Sequence, residues 1–221
     1  MTNPLRVIAG KLPTSWQQSL KRRRYAGWIR KGTFKTDEAE FARLAEWLNP
    51  GDWSIDVGAN LGVYTLGMSK LVGPAGRVLS LEPIPETFEL LAANCTASTC
   101  RNVTLISAAA SSTAGVVGMA VPVQATGRNY YEASIQESVN GDGYHVLCVT
   151  LDSLPITGRV SLIKIDAEGH EAKVIDGAKA IIARDRPTII AEGLRSHPLF
   201  DELGYVGEHV DGSPNFVWRP T

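Results

Sequence analysis

The twelve residues SIDVGANLGVYT, Ser54 to Thr65, restrict this chain more than any other stretch. A short apolar run carries an acid at Asp56, glycines follow at Gly58 and Gly62 on either side of Asn60, and helical spacing resumes through Tyr64, Met68 and Leu71. Strand, glycine turn and helix in that order open a βαβ unit. A glycine turn at the mouth of a helix is also the usual place for backbone to approach a ligand, since a Cβ there would collide with it.

The pattern repeats along the chain. RVLSLEP reads as the next strand, and Pro85 falls at the first turn of a helix whose apolar face is Phe88, Leu91, Ala92 and Cys95. NVTLISAAAS reads as a third strand. VSLIKID is a nearly continuous apolar strand, followed by a helix with Val174, Ile175, Ala178, Ile181 and Ile182 inward, and PTIIAEG supplies another strand. Upstream, Phe41, Leu44, Ala45 and Leu48 share one helical face, with Thr36 or Asp37 as its cap. Around 115–151, VVGMAVPV and YHVLCVTL are strand-like runs separated by polar, glycine-bearing sequence, which predicts an inserted hairpin or loop. Strands alternating with helices predict an α/β fold with a doubly wound, mostly parallel sheet. With 221 residues and 44% hydrophobic content, one such domain over 36–221 is expected, preceded by an N-terminal helical extension or lid over 1–35.

In a sheet of this kind ligands lie beyond the carboxyl ends of the strands, where Asp56, Glu82, Asp166 and Glu192 fall. Buried carboxylates need partners, and a polar or cationic ligand would supply them. A dinucleotide fingerprint requires GxGxxG, whereas Gly58, Asn60 and Val63 occupy its three glycine positions; the GxxxxGK[ST] phosphate loop is missing too. An acid after the second strand accepts both hydroxyls of a ribose, and an acid by the first turn faces an ammonium group. Together these demands describe S-adenosylmethionine, which combines a ribose diol, an amino acid and a sulfonium cation without a phosphate.

Charge and cysteine usage narrow the partners. A net charge of −1 argues against a general nucleic-acid binder or a polybasic membrane-surface protein. Three cysteines without a CxxC pair fit reduced thiols and a cytoplasmic location. No run approaches the ~18 apolar residues of a membrane span, so a soluble protein is expected.

With these residues in place, the chain resembles the FkbM-type S-adenosylmethionine-dependent methyltransferases. The resemblance runs from about Gly32 to Pro220 and rests on GDWSIDVGANLGVYT, LEPIPETFELLAAN, NVTLISAAASSTAG, VTLDSL, LIKIDAEGHEAKVIDGA and NFVWRP. It implies a Rossmann-like class I fold in which Asp56, Gly58, Ala59, Asn60, Gly62, Tyr64 and Thr65 surround the methionine part of the cofactor, and Glu82 with Pro83 holds the ribose. The family commonly carries an acid after the third strand. Here Ala110, Ser111 and Ser112 stand in that place, and Ser111 or Ser112 is left to hydrogen-bond on the adenine side.

KIDAEGHE is the second block with chemistry. Methyl transfer is an in-line displacement, so the protein's tasks are alignment and removal of the acceptor's proton. His170 and Asp166 are the candidate bases, with Glu168 beside them; a capping histidine and helix-starting acids are the structural alternatives. Asp166, Glu168 and Glu192 are also oxygen ligands of the type that a divalent cation takes. Arg128, Asn129, Tyr130 and Tyr131 lie in the least regular segment and suit an acceptor with sugar or ring character, and the strand-end acid Glu192 is also assigned to the acceptor. The basic N-terminal segment from Trp16 to Lys31 reads as a helix with one solvated basic face, or as a lid, a dimer element or a dock for an anionic acceptor. The resulting expectation is biosynthetic O-methylation of a small molecule, natural product or glycan, leaving S-adenosylhomocysteine. N-methylation and a non-catalytic cofactor-binding relative are the alternatives, and a homodimer is a possible state.

Overall fold

The computed structural model describes residues 14–124, 127–128, 133–136 and 143–221. Helix α1 spans Thr14–Lys31, and two short helices, α2 (Ala39–Ala42) and α3 (Leu44–Trp47), lead into strand β1 (Trp53–Val57). Then come α4 (Val63–Val72), β2 (Arg77–Leu81), α5 (Pro85–Ala97), β3 (Val103–Ile106) and β4 (Ala109–Ala110). Strands β5 (Gly115–Ala120), β6 (Val123–Gln124), β7 (Gly127–Arg128), β8 (Ser134–Gln136) and β9 (Tyr144–Val149) form the irregular segment. Strand β10 (Val160–Ile165), helices α6 (Glu171–Asp176) and α7 (Lys179–Asp185), β11 (Thr188–Glu192), α8 (Pro198–Glu202), β12 (Tyr205–His209) and β13 (Asn215–Pro220) complete the chain.

The main sheet has seven strands in the order β12-β13-β11-β10-β1-β2-β3. β1 pairs in parallel with both β10 and β2, and β10–β11 and β2–β3 are parallel as well; β13 is antiparallel to β11 and β12. The doubly wound, mostly parallel α/β fold expected from the sequence is therefore present. Alternate residues explain its two cores. Ile55, Leu79, Ile163 and Ile189 pack against Val174, Ile175, Ile181 and Ile182, while Val78, Leu162 and Ile190 face Leu44, Met68 and Val72 on the other side. From β1 the chain winds outward through β2 and β3, then returns beyond β1 to place β10 and β11. The strand order thus reverses between β1 and β10, the place where ligands bind in open α/β sheets.

Several boundaries differ from the sequence expectation. The helix expected over Phe41–Leu48 is two short pieces, because Arg43 N donates to the Glu40 carbonyl and Glu46 N to the Arg43 carbonyl in tight i→i+3 turns. Thr36 bonds the Glu38 amide and caps neither piece. NVTLISAAAS is not one strand: after Ile106 the chain leaves the main sheet, and Ala109–Ala110 joins a second sheet of order β4-β9-β5-β8. VVGMAVPV and YHVLCVTL do pair as antiparallel β5 and β9. The helix expected after VSLIKID breaks at Gly177, where a Cβ would lie 2.0 Å from the Ser111 carbonyl oxygen. The antiparallel edge of β12 and β13 has no counterpart in the sequence reading.

One polar network crosses the whole chain. The fully buried Glu40 carboxylate accepts from Ser213 Oγ at 2.8 Å and from Asn215 Nδ2, and its Oε1 lies 3.3 Å from the Tyr64 hydroxyl. Tyr64 donates to Glu38 Oε2 at 2.6 Å, and burial raises its pKa well above the usual phenol value. Asn215 Oδ1 in turn accepts from Lys164 Nζ at 3.3 Å. No helix among the described residues is long and apolar enough to cross a membrane.

Candidate active site

The turn after β1 is pinned on both sides. Gly58 N and Ala59 N donate to the Leu81 carbonyl at the end of β2, and Asp166 N donates to the Val57 carbonyl. Gly58 has φ +71°, and a Cβ on it would stand 1.8 Å from the Asp166 carbonyl oxygen. Gly62, φ +86°, faces Leu91 Cδ1 in the same way. The glycines therefore answer first to neighbouring protein, and so do the amides of Gly58, Ala59, Asn60 and Gly62, which leaves the Asn60 side chain to meet a ligand.

Two cavities flank this turn. The first is lined by Gly58, Asn60, Glu82, Pro83, Asp166 and Glu168, with apolar walls from Ile84, Ala108, Ala109, Ala110, Met119 and Ile135. The β5–β8 pair supplies Met119 and Ile135, so the inserted strands form one wall of the cleft. The second cavity is lined by Thr36, Glu38, Asp56, Ala59, Tyr64, Lys164 and Asp166.

Glu82 is buried at the floor of the first cavity. Its Oε2 accepts from Asn60 N and its Oε1 from Ile84 N, each at 2.9 Å. Burial, aided by Asp56 and Asp166, pushes the carboxyl up to about 7 against those two hydrogen bonds. Each carboxylate oxygen has two lone pairs, so one on each remains for a ligand. Asp56 lies deeper, accepts from Thr65 Oγ1 at 2.5 Å, and is raised by burial to about 6. Thr65 also meets Ser80 Oγ at 2.9 Å. Glu192 is pushed up to about 8, first by its hydrogen bond with Asp166 and then by burial. Lys164, 3% exposed, stands 3.6 Å from Asp166 Oδ2 and 5.3 Å from the Tyr64 ring centre.

Backbone strain gathers here too. Asn60 (φ 49°) and Glu168 (φ 50°) are two of the four non-glycine residues with positive φ among the described residues, and both line the first cavity. Asn60 Oδ1 is buried with no hydrogen-bond partner among the described residues.

These features fit S-adenosylmethionine. The free lone pairs of Glu82 suit a ribose diol, and the slot of Ile84, Ala109 and Met119 suits a flat base. The first cavity lacks any Lys or Arg among its described lining residues, while its acids and the orphaned Asn60 acceptor suit a cationic ligand without phosphate. When bound, that cofactor supplies an activated methyl group on a sulfonium.

The other expected site residues are distributed differently. His170 does not line either cavity. Its Nε2 meets Ser111 Oγ at 2.8 Å, and burial lowers its pKa. Ser111 is therefore directed at His170, and Ala108–Ala110 take the cavity wall in its place. Glu171 starts its helix by accepting from the Ala167 and Gly169 amides. Glu192 acts on the site through Asp166 and is not a lining residue. Among the described residues, no group of three or more His, Cys, Asp or Glu is arranged to hold a metal ion, Asp166, Glu168 and Glu192 included. Arg128 belongs to β7 and its side chain lies outside the described residues, as do Asn129, Tyr130 and Tyr131 entirely. The sequence reading missed Lys164, Glu38, Met119 and Ile135. Only Lys164 left a signal there, as a lysine inside an apolar parallel strand.

Comparison with known proteins gives a family match and many structural likenesses. A family model described as the methyltransferase FkbM domain matches residues 56–206. The crystal structure of methyltransferase FkbM from Methylobacillus flagellatus superposes with a TM-score of 0.53 at 16% identity, covering 79% of this chain and 48% of that one. The chain thus spans about half the length of that protein. A candidate rRNA methylase from Clostridium thermocellum gives a TM-score of 0.51 at 12% identity over 81% of this chain and 90% of that one. A SAM-dependent O-methyltransferase from Thermotoga maritima gives 0.51 at 13% identity over 82% and 64%. No curated protein sequence matches.

Proposed function

Since the chain belongs to the FkbM methyltransferase domain family, we propose that it binds S-adenosylmethionine in the cleft over Glu82 and methylates a hydroxyl oxygen of a small-molecule or glycan acceptor. The observation that carries this reading is Glu82 itself: a buried carboxylate with two lone pairs open to a cavity that has acids and no cation among its described lining. Glu82 holds the ribose, Asn60 and Asp166 face the cationic end, and Lys164 with Thr36 in the adjoining cavity suits a carboxylate. Oxygen is preferred to nitrogen because the pocket contains a proton acceptor for a hydroxyl. Asp166 reaches the first cavity with Glu192 hydrogen-bonded behind it, so a proton shed by the acceptor passes to the Asp166 carboxylate.

His170 is assigned a positioning role through Ser111. With methyl-labelled S-adenosylmethionine and a panel of hydroxyl-bearing sugars and phenols, Asp166→Asn is expected to lower kcat by about a hundredfold or more, and His170→Ala by no more than about threefold. The reverse ranking would move the base to His170. Transfer to matched amino sugars and anilines, and to none of these hydroxyl acceptors, would replace the oxygen reading.

The pH dependence follows from Glu82. Its carboxyl, raised from 4.5 to about 7, keeps in the folded chain a proton that the unfolded chain has already released between those values. Stability of the ligand-free protein therefore falls as pH rises through that window. Ribose hydroxyls donate to the ionised form, so affinity runs the other way. S-adenosylhomocysteine should bind about tenfold more weakly at pH 5.5 than at pH 8, as calorimetry would register. Equal affinity at both values would remove Glu82 from the ligand.

A further inference from the structure

The near-zero net charge of the chain conceals a local asymmetry. Helix α1 carries Lys21, Arg22, Arg23, Arg24, Arg30 and Lys31 and no acid, which leaves 16 basic residues against 23 acids elsewhere, a balance of −7. The balanced total, which argued against a membrane-surface protein, is thus a cancellation between one helix and the rest.

The helix has a clear inner face. Gln18 and Tyr25 are buried, Gln18 Nε2 donates to the Glu86 carbonyl at 3.3 Å, and Arg22 pairs with Glu89. These contacts advance together along both chains, so α1 lies parallel to α5. Its N-terminal end sits beside Pro85, next to the cleft residue Ile84. The outer face is different: Trp16 is 65% exposed, Leu20 50% and Trp28 42%. Helical spacing gathers positions 16, 20, 23, 24 and 31 on one arc, so Trp16 and Leu20 lie among Arg23, Arg24 and Lys31. The Arg24 guanidinium rests 5.3 Å from the centre of the Trp28 ring.

We propose that this outer face of α1 docks on the surface of an anionic bilayer. The helix is polar as a whole, so charge supplies the main attraction: lysines and arginines lie over lipid phosphates, while Trp16 and Leu20 settle at headgroup level. A second copy of this chain packed helix against helix would set cations against cations. A nucleic acid would use the cations but leave Leu20 wet. The contact brings the cleft residue Ile84, beside the N-terminal end of α1, close to a membrane and to acceptors held there; that consequence rests on the transferase reading, whereas the docking does not.

The test is co-sedimentation of the full chain with vesicles of phosphatidylcholine alone or mixed with phosphatidylglycerol. Binding is expected only to the mixed vesicles, with a blue shift of tryptophan fluorescence and release at high salt. Trp16→Ser with Leu20→Ser, and separately Arg23→Glu with Lys31→Glu, should each weaken binding about tenfold or more while keeping the wild-type melting temperature. Absence of binding to anionic vesicles, binding that neither double variant reduces, or retention of an RNA oligonucleotide in place of vesicles would overturn the proposal.

Discussion

Glu82→Ala is expected to weaken S-adenosylhomocysteine binding by about a hundredfold or more, measured by calorimetric titration at pH 8. Each hydroxyl hydrogen bond to an ionised acceptor is worth ~1.5–3 kcal/mol, and two are lost together. The variant also strands the Asn60 and Ile84 amides, which donate to this carboxylate in the parent protein. A melting curve separates that loss from the loss of ligand contacts. Glu82→Gln, which keeps the shape and one acceptor oxygen, should fall between the two. Unchanged affinity in the alanine variant would mean that the ribose is held elsewhere and that this cleft serves another ligand.

Gly58→Ala should be the most destabilising single methyl group added to the site. The new Cβ would overlap the Asp166 carbonyl oxygen at 1.8 Å, and that carbonyl belongs to backbone that cannot swing aside like a side chain. The residue would also keep a left-handed φ of +71° that alanine resists. Overlap and strain together place the cost at ~3 kcal/mol or more, a fall of about 10 °C in melting temperature for a domain of this size. Gly73→Ala offers a comparison, since its φ is +63° but nothing lies within 4 Å of its added Cβ. If the two variants melted alike, conformational strain alone would account for Gly58, and the close approach of the two strand ends would be irrelevant to stability.

What the sequence disclosed followed from local regularity. Strands β1, β2, β10 and β11 are largely apolar, and each carries an acid in its last two positions or just beyond them, so the sheet and the row of Asp56, Glu82, Asp166 and Glu192 along its carboxyl edge could be read directly. Contacts between distant residues were invisible. Nothing in KIDAEGHE signals that Ser111, 59 positions earlier, engages His170, or that the Ser111 carbonyl crowds Gly177 and divides the helix. The hairpin was legible as two β-rich runs, but the use of Met119 and Ile135 as a cleft wall depends on how β5 and β8 lie against the β2 end. Lys164 was readable as an anomaly, yet its partners Asn215, Asp166 and Tyr64 come from three other regions of the chain.

The bond between Glu40 and Asn215 spans 175 positions. On a ribosome adding ~5–20 residues per second, roughly 10 to 40 s separate the synthesis of the two groups. Throughout that interval the Glu40 carboxylate lacks two of the donors that make its burial tolerable, and Lys164 emerges before Asn215 as well. Water is the better environment for both charges until then. The nascent chain therefore has a built-in reason to delay closure: the packing of Glu40 and Lys164 against the sheet is favoured only once β13 has been made.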